Sequence, residues 1–234
     1  KMKAILLAAG YGKRLRPLTS NTPKCLVKIN GIPLLKIWLK KLELANIKSV
    51  LINTHYLSAK VENFIKKNKF KVKIELVYEK RLLGTAGTLI KNLDFFGNQD
   101  GLFLHADNFC KEPLINLINK HKKRPKTCLL TALTFRTNNP SSCGIIKIDI
   151  KNILESFYEK PKNTNLGNLA NAATYILSKK FISTLRKNFL GSKNFSTEVI
   201  PYLKKKIYTY ETKKTFIDIG TIANYKLANK NVKR

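Results

Sequence analysis

Lys3-Ala4-Ile5-Leu6-Leu7-Ala8-Ala9-Gly10-Tyr11-Gly12-Lys13-Arg14-Leu15 begins as an aliphatic run and breaks into small residues, two glycines and a guanidinium. The run predicts a buried strand over Lys3–Ala9. The glycines let backbone approach an anion closely and aim amide N–H groups at it. The spacing is neither the dinucleotide G-x-G-x-x-G nor the P-loop G-x-x-x-x-G-K-[ST]. Pro23-Lys24 closes the segment with a second cation.

Working outward, strand and helix alternate. Leu34–Asn46 has apolar residues at helical spacing, with Pro33 in its first turn. Ser49–Asn53 reads as a strand, Ser58–Lys67 as a helix capped by Ser58, Lys73–Tyr78 as a strand, Thr85–Leu93 as a helix, Gly101–His105 as a strand and Lys111–Lys122 as a helix. This order predicts an α/β fold with a mostly parallel, Rossmann-like sheet, flanking helices and right-handed crossovers. Ligands in such sheets bind at the carboxyl ends of the strands. After Thr127, close-spaced strands at Leu129–Phe135, Gly144–Asp149, Ile153–Tyr158 and Ala172–Leu177 predict an antiparallel extension. Phe181–Lys187 and Thr221–Asn229 return to helix. The 234 residues favour one domain, 1–234, with a nucleotide-binding half at roughly 1–125 and a second half at 126–234.

The composition, 44% hydrophobic, is that of a packed globular chain. The net charge of +31 raises the prior for an anionic partner. Lysine far outnumbers arginine and is spread along the chain, which argues against nucleic acid and for a solvated surface. Cys25, Cys110, Cys128 and Cys143 lack C-x-x-C spacing, so a zinc site is not expected and a reducing, cytoplasmic setting is. No apolar run reaches a membrane span, and the start does not read as a signal peptide. Met2, behind a single Lys1, reads as the natural start.

The extended string Leu7-Ala8-Ala9-Gly10-x-Gly12-x-Arg14-Leu15-x-Pro17-Leu18-Thr19-x(3)-Pro23-Lys24 resembles the signature of sugar-phosphate nucleotidyltransferases. Further segments resemble that family's motifs in its order: Leu83-Gly84-Thr85-Ala86-Gly87, Ala106-Asp107-Asn108, Cys143-Gly144, Glu159-Lys160-Pro161, Asn171-Ala172 with Tyr175, and Ile217-Asp218-Ile219-Gly220-Thr221 with Tyr225. The resemblance covers nearly the whole chain and extends to short mannose-1-phosphate guanylyltransferase-like members. It implies a glycosyltransferase-A-like fold whose antiparallel extension lies on the sugar side. It implies attack of a sugar 1-phosphate oxygen on the α-phosphorus of a nucleoside triphosphate, with pyrophosphate leaving. A homo-oligomer is compatible with it.

The resemblance assigns catalytic charge stabilisation to Arg14, Lys24 and Lys160. It assigns nucleotide binding to Leu7, Ala8, Ala9, Gly10, Gly12, Gly84, Thr85 and Ala86, and sugar binding to Gly144, Glu159, Asn171 and Glu198. For Glu198 the alternative is a helix-terminal acid behind a Ser196 cap. Asp107 and Asp218 are the implied Mg²⁺ ligands, and hard carboxylate oxygens suit that ion. Thr85 and Ala86 stand where thymidylyl members carry glutamines. A carboxylate at Glu79 could accept both N1–H and N2–H of guanine, so GTP is expected; the alternative for Glu79 is a solvated charge. UTP, CTP or dTTP with a heptose, polyol or phosphocholine acceptor stays open, as does a silent regulatory subunit of the same fold. Ala106, Ala173 and Phe216 depart from the family's usual glycine, glycine and tryptophan. The short stretch after Asp218 predicts a minimal catalytic domain.

Overall fold

The computed structural model describes residues 2–232, so Lys1 lies outside the described residues. In chain order the strands are β1 Lys3–Leu7, β2 Lys28–Ile29, β3 Ile32–Pro33, β4 Ser49–Thr54, β5 Lys73–Tyr78, β6 Gly101–His105, β7 Asn108–Cys110, β8 Leu130–Arg136, β9 Gly144–Ile148, β10 Leu154–Glu159, β11 Leu169–Leu177, β12 Ile207–Glu211 and β13 Phe216–Asp218. The helices are α1 Leu34–Leu44, α2 Ser58–Lys67, α3 Gly84–Lys91, α4 Leu114–Lys122, α5 Lys179–Phe189, α6 Phe195–Glu198 and α7 Ile222–Val232.

The central sheet runs β10-β9-β11-β6-β1-β4-β5, with β8 joining β11 and β12 joining β8. β6, β1, β4 and β5 are mutually parallel. β11 turns antiparallel against β6, and β8, β9 and β10 continue that sense. The expected parallel half with an antiparallel extension is therefore the observed architecture. β12 is an addition: it returns parallel to β8.

Alternation along β1 explains the layers, because successive strand side chains point to opposite faces. Ala4 and Leu6 face a core with Trp38 and Leu42 of α1, Val61 of α2 and Leu117 of α4. Ile5 faces a second core with Leu89 of α3, Phe181 and Leu185 of α5, Phe103 and Tyr175. A third, smaller core of Leu15, Leu34, Phe109, Ile217, Ile219 and Ala228 fixes the loop after β1 against α7.

Several boundaries shift for local reasons. β1 stops at Leu7 because Ala8 N–H donates to the Asn53 side chain, 2.8 Å away, instead of to the ladder. α4 starts at Leu114 rather than Lys111, because residues before Pro113 are kept out of helical backbone. Ser58 does not cap α2: the N-cap is Leu57, in left-handed backbone with φ 53°. Ser196 does not cap α6 either; Asn194 does, its side chain accepting from Ser196 N and Thr197 N. Among the described residues no helix is long and apolar enough to cross a membrane.

Candidate active site

The carboxyl ends of β1, β4, β5 and β6 open onto a cavity lined by Leu7, Ala8, Ala9, Gly10, Lys24, Asn53, Glu79, Gly84, Thr85 and Asp107 among others. A second cavity, lined by Gly144, Glu159, Lys160, Asn171, Ala173 and Asp218, meets the first at His105 and Asp107, which line both. Of the residues expected from sequence, Leu7, Ala8, Ala9, Gly10, Glu79, Gly84 and Thr85 line the first cavity and Gly144, Glu159 and Asn171 the second; Gly12 and Ala86 line neither, Ala86 being fully buried.

At the junction, Lys24 Nζ contacts Asp107 Oδ2 at 2.6 Å and Asp218 Oδ1 at 3.8 Å. Lys24 is nearly buried, held in a single 3₁₀ turn that begins after Pro23. Asp107 follows β6 directly. Asp218 arrives through β13, which pairs antiparallel with β7 so that Asp218 lies opposite Asn108. Ile219 N–H donates to Asp107 O at 3.1 Å and tightens the junction. Arg14 approaches from the loop: a β-carbon on Gly220 would lie 3.1 Å from both its guanidinium and the Asp218 carboxylate. Glycine there leaves room for that approach.

Burial opposes ionisation of both aspartates. At Asp107 burial is the largest single effect, but the charges of Lys24 and His105 and the hydrogen bond from Lys24 together hold the carboxyl below the usual range. Asp218, farther from Lys24 and beside the Asp107 charge, is pushed above that range by burial and by Asp107. His105 is an added member of the site. Burial holds its imidazole below the ordinary histidine range despite Asp107. Burial also pushes the Cys25 thiol up to about 12, so this cavity-lining sulfur is not a thiolate nucleophile at neutral pH.

Two carboxylates converge on one ammonium at this junction. The pair fits Mg²⁺, which binds one or two carboxylates together with substrate phosphates and water. Among the described residues no group of three or more His, Cys, Asp and Glu could hold a metal by protein ligands alone.

On the nucleotide side the two loop glycines differ. Gly12 has φ +64°, and a β-carbon would meet Thr19 at 2.9 Å. Gly10 lines the cavity and has open space where its β-carbon would lie, so no protein contact requires glycine there. Glu79 is buried and already engaged. Its Oε1 accepts from Asn53 Nδ2 at 3.0 Å and Thr88 Oγ1 at 2.5 Å, and its Oε2 accepts from Leu83 N at 3.2 Å. A carboxylate offers about four acceptor positions. One is left on Oε2, so Glu79 as placed can accept one guanine N–H, not the pair expected from sequence. Nor is Glu79 the solvated charge of the alternative. Thr85 Oγ1 accepts from Phe195 N at 2.8 Å and joins the loop to α6.

In the second chamber, burial raises the Glu159 carboxyl above its usual range, with Lys160 opposing. Lys160 Nζ lies 4.0 Å from Glu159 Oε1 and is largely exposed. Asn171 donates through Nδ2 to Tyr175 OH at 2.6 Å and accepts from Ala173 N at 3.2 Å. This sits where the β11–β8 register is interrupted between Asn171 and Tyr175. Lys160 and Ala173 both hold left-handed backbone, with φ 45° and 47°.

Glu198 is not brought to this chamber. Its carboxylate accepts from Lys193 N at 2.9 Å and Asn194 N at 3.2 Å, closing the turn before α6, and it lines a separate surface cavity. That is the helix-terminal role, with Asn194 rather than Ser196 as the cap. Ser196 and the Phe135–Phe216 ring pair, 4.3 Å apart, line the second chamber instead. The sequence offered Ser196 only as a helix cap and Phe216 only as a departure from tryptophan, and gave no signal at Phe135, because the three come from different parts of the chain.

The family model "Nucleotidyl transferase" matches residues 3–234. A mannose-1-phosphate guanyltransferase of Saccharomyces cerevisiae is 30% identical over 227 residues, which are 94% of this chain and 61% of the yeast protein. A mannose-1-phosphate guanylyltransferase catalytic subunit beta of Danio rerio is 30% identical over 226 residues, again 94% of this chain and 61% of the relative. The chain therefore spans about three fifths of the length of these curated relatives. Among solved structures, a UDP-glucose pyrophosphorylase complexed with UDP-glucose matches with a TM-score of 0.83 at 21% identity, covering 100% of both chains. HddC from Yersinia pseudotuberculosis complexed with GMP-PN matches with a TM-score of 0.81 at 24% identity, covering 99% of this chain and 100% of that one.

Proposed function

The chain belongs to the nucleotidyl transferase family, and from that premise we propose that it transfers a guanylyl group from GTP to a sugar 1-phosphate, releasing pyrophosphate. The observation that carries this is the junction of the two chambers, where Asp107, Asp218 and Lys24 meet within 2.6 and 3.8 Å contacts. A triphosphate in the first chamber and a phosphate in the second would meet there. In this reading the donor chamber belongs mainly to residues 1–125 and the acceptor chamber mainly to 126–234.

The reaction needs no protein nucleophile. An acceptor phosphate oxygen forms a bond to the α-phosphorus, and the bond from that phosphorus to the pyrophosphate oxygen breaks. Catalysis is then positioning and charge stabilisation. Asp107 and Asp218 would hold Mg²⁺, which supplies charge neutralisation on the phosphate oxygens. Arg14 and Lys24 stabilise charge on the triphosphate and the leaving pyrophosphate. Lys160 holds the acceptor phosphate, and Glu159 and Asn171 bond sugar hydroxyls. Leu7, Ala8, Ala9, Gly10, Gly84 and Thr85 shape the donor chamber, Gly12 and Ala86 act from behind its wall, and Glu79 gives the base one acceptor position.

GTP is favoured over other donors by relatives named for guanylyl transfer to mannose 1-phosphate; the single acceptor position left on Glu79 suits guanine but does not by itself select it. A matrix of five nucleoside triphosphates against mannose 1-phosphate and other phosphorylated acceptors, read by pyrophosphate release, tests it. GTP with a sugar 1-phosphate should give the highest turnover. Asp107→Asn and Asp218→Asn should abolish it with the fold intact. Full activity in both variants would sink the metal assignment. Absence of turnover with every pair would favour a silent subunit.

A further inference from the structure

We propose that the segment after β4, comprising His55, Tyr56 and Lys60, clasps the glycine loop over the donor chamber. Its key contact is the Tyr11–His55 hydrogen bond, which makes both residues positioning residues for the nucleoside triphosphate. The proposal rests on the first chamber being the donor site.

The clasp closes at three points. Tyr11 OH and His55 Nε2 are 2.8 Å apart, and His55 Nδ1 is 2.7 Å from Glu79 O. A carbonyl only accepts, so Nδ1 carries the proton. In the neutral ring Nε2 is then the acceptor, and Tyr11 donates to it. The rings meet edge to face at 5.3 Å, and Tyr78 stacks on His55 at 6.4 Å. Tyr56 OH donates to Ser20 O at 2.8 Å, with Thr19 O at 3.1 Å. Lys60 Nζ donates to Asn21 O.

The third core anchors the loop at Leu15, and Tyr11 lies outside that core. Tyr11 is 39% exposed, so burial contributes little to fixing it. Inside the loop, Thr19 Oγ1 donates to Gly12 O at 2.7 Å, which ties its two limbs to each other but not to the sheet. The loop carries Gly10 into the donor chamber and sets Arg14 and Lys24 at the junction. The same histidine reaches the backbone of Glu79, so one side chain registers the phosphate-facing loop against the base end of the chamber. Neither Tyr11 nor His55 lines the chamber, so their effect on a ligand passes through the loop.

Equilibrium binding of GTP with Mg²⁺ to wild type, Tyr11→Phe, His55→Leu and the double variant tests the clasp, alongside the acceptor KM in turnover. Loss of one such hydrogen bond predicts GTP binding weaker by roughly three- to tenfold. The acceptor KM should not move. Because the two residues act through one bond, the double variant should bind no worse than His55→Leu. Wild-type affinity in Tyr11→Phe overturns the clasp, and so do losses that multiply in the double variant. Tyr11→Phe alone decides the matter if His55→Leu fails to fold. If wild type binds none of five nucleoside triphosphates, the donor-site reading falls and takes this proposal with it.

Discussion

Replacing Gly84 by alanine should uncouple α3 from the turn before α6. Gly84 has φ +78°, and a β-carbon there would lie 2.3 Å from Lys193 O. That oxygen is backbone, so it cannot swing aside as a side chain could. It also accepts from Ala86 N at 3.0 Å, and displacing it weakens that bond. Left-handed backbone in a non-glycine residue costs about 1–3 kcal/mol. Loss of the hydrogen bond adds about 1 kcal/mol. Together these predict a destabilisation of about 2–4 kcal/mol, or roughly 5–15 °C in Tm for a chain of this size. The control is Gly10→Ala, where the new methyl meets nothing within 4 Å. It should change stability by less than about 0.5 kcal/mol yet weaken donor binding, because the methyl enters the space offered to the ligand. Urea denaturation with GTP titration of both variants measures the contrast. A Gly84→Ala protein as stable as wild type would refute the steric reasoning, and a Gly10→Ala protein that binds GTP normally would refute the assignment of Gly10 to the ligand.

Three further outcomes follow from other sites. Glu112 is buried and, against that burial, hydrogen bonds from Thr212, Asn116 and Tyr210 hold its carboxyl below the usual range. Its stabilisation is present above the unfolded pKa, about 4.3, and is lost as pH falls through the lower folded value. Glu112→Gln should cost about 1–3 kcal/mol at pH 7 in denaturation, with the gap to wild type closing in acid; a gap that widens in acid would contradict this. Burial raises Glu159, so acceptor KM should climb as pH falls, at a pH above the ordinary carboxylate range, and Glu159→Gln should flatten that limb without changing donor KM. Ala173→Gly relieves left-handed strain and should raise stability by up to about 1 kcal/mol in thermal melts, while acceptor selectivity relaxes because a methyl leaves the chamber wall.

The parallel half was legible because each β-branched or aliphatic run and each helical stripe is local. That the loop after β1 borders a cavity was legible because small residues and cations sit close in sequence. The pairing of Asp107 with Asp218 was legible only as a motif resemblance. The structural cause is the β7–β13 pair, two three-residue strands far apart in the chain, too short for any periodicity to show. β12 was missed because its Tyr and Thr residues follow a lysine run that reads as surface. Glu198 was misplaced because a carboxylate after Ser-Thr carries no signal of which chamber it faces; its two backbone partners, Lys193 and Asn194, decide that. Glu79 looked like a free base reader because sequence does not show that Asn53, Thr88 and Leu83 converge on it. His55 and Tyr11 gave no signal, since their contact joins two loops.

The account stands or falls on what happens at the α-phosphorus. Phosphorus NMR of the protein with GTP, mannose 1-phosphate and Mg²⁺ reads that directly. The expected result is a pair of coupled resonances from a nucleotide sugar, appearing together with inorganic pyrophosphate in equal amounts. Formation of GDP with a newly phosphorylated sugar, or of GDP and inorganic phosphate alone, would mean attack at the γ-phosphorus and would contradict the account.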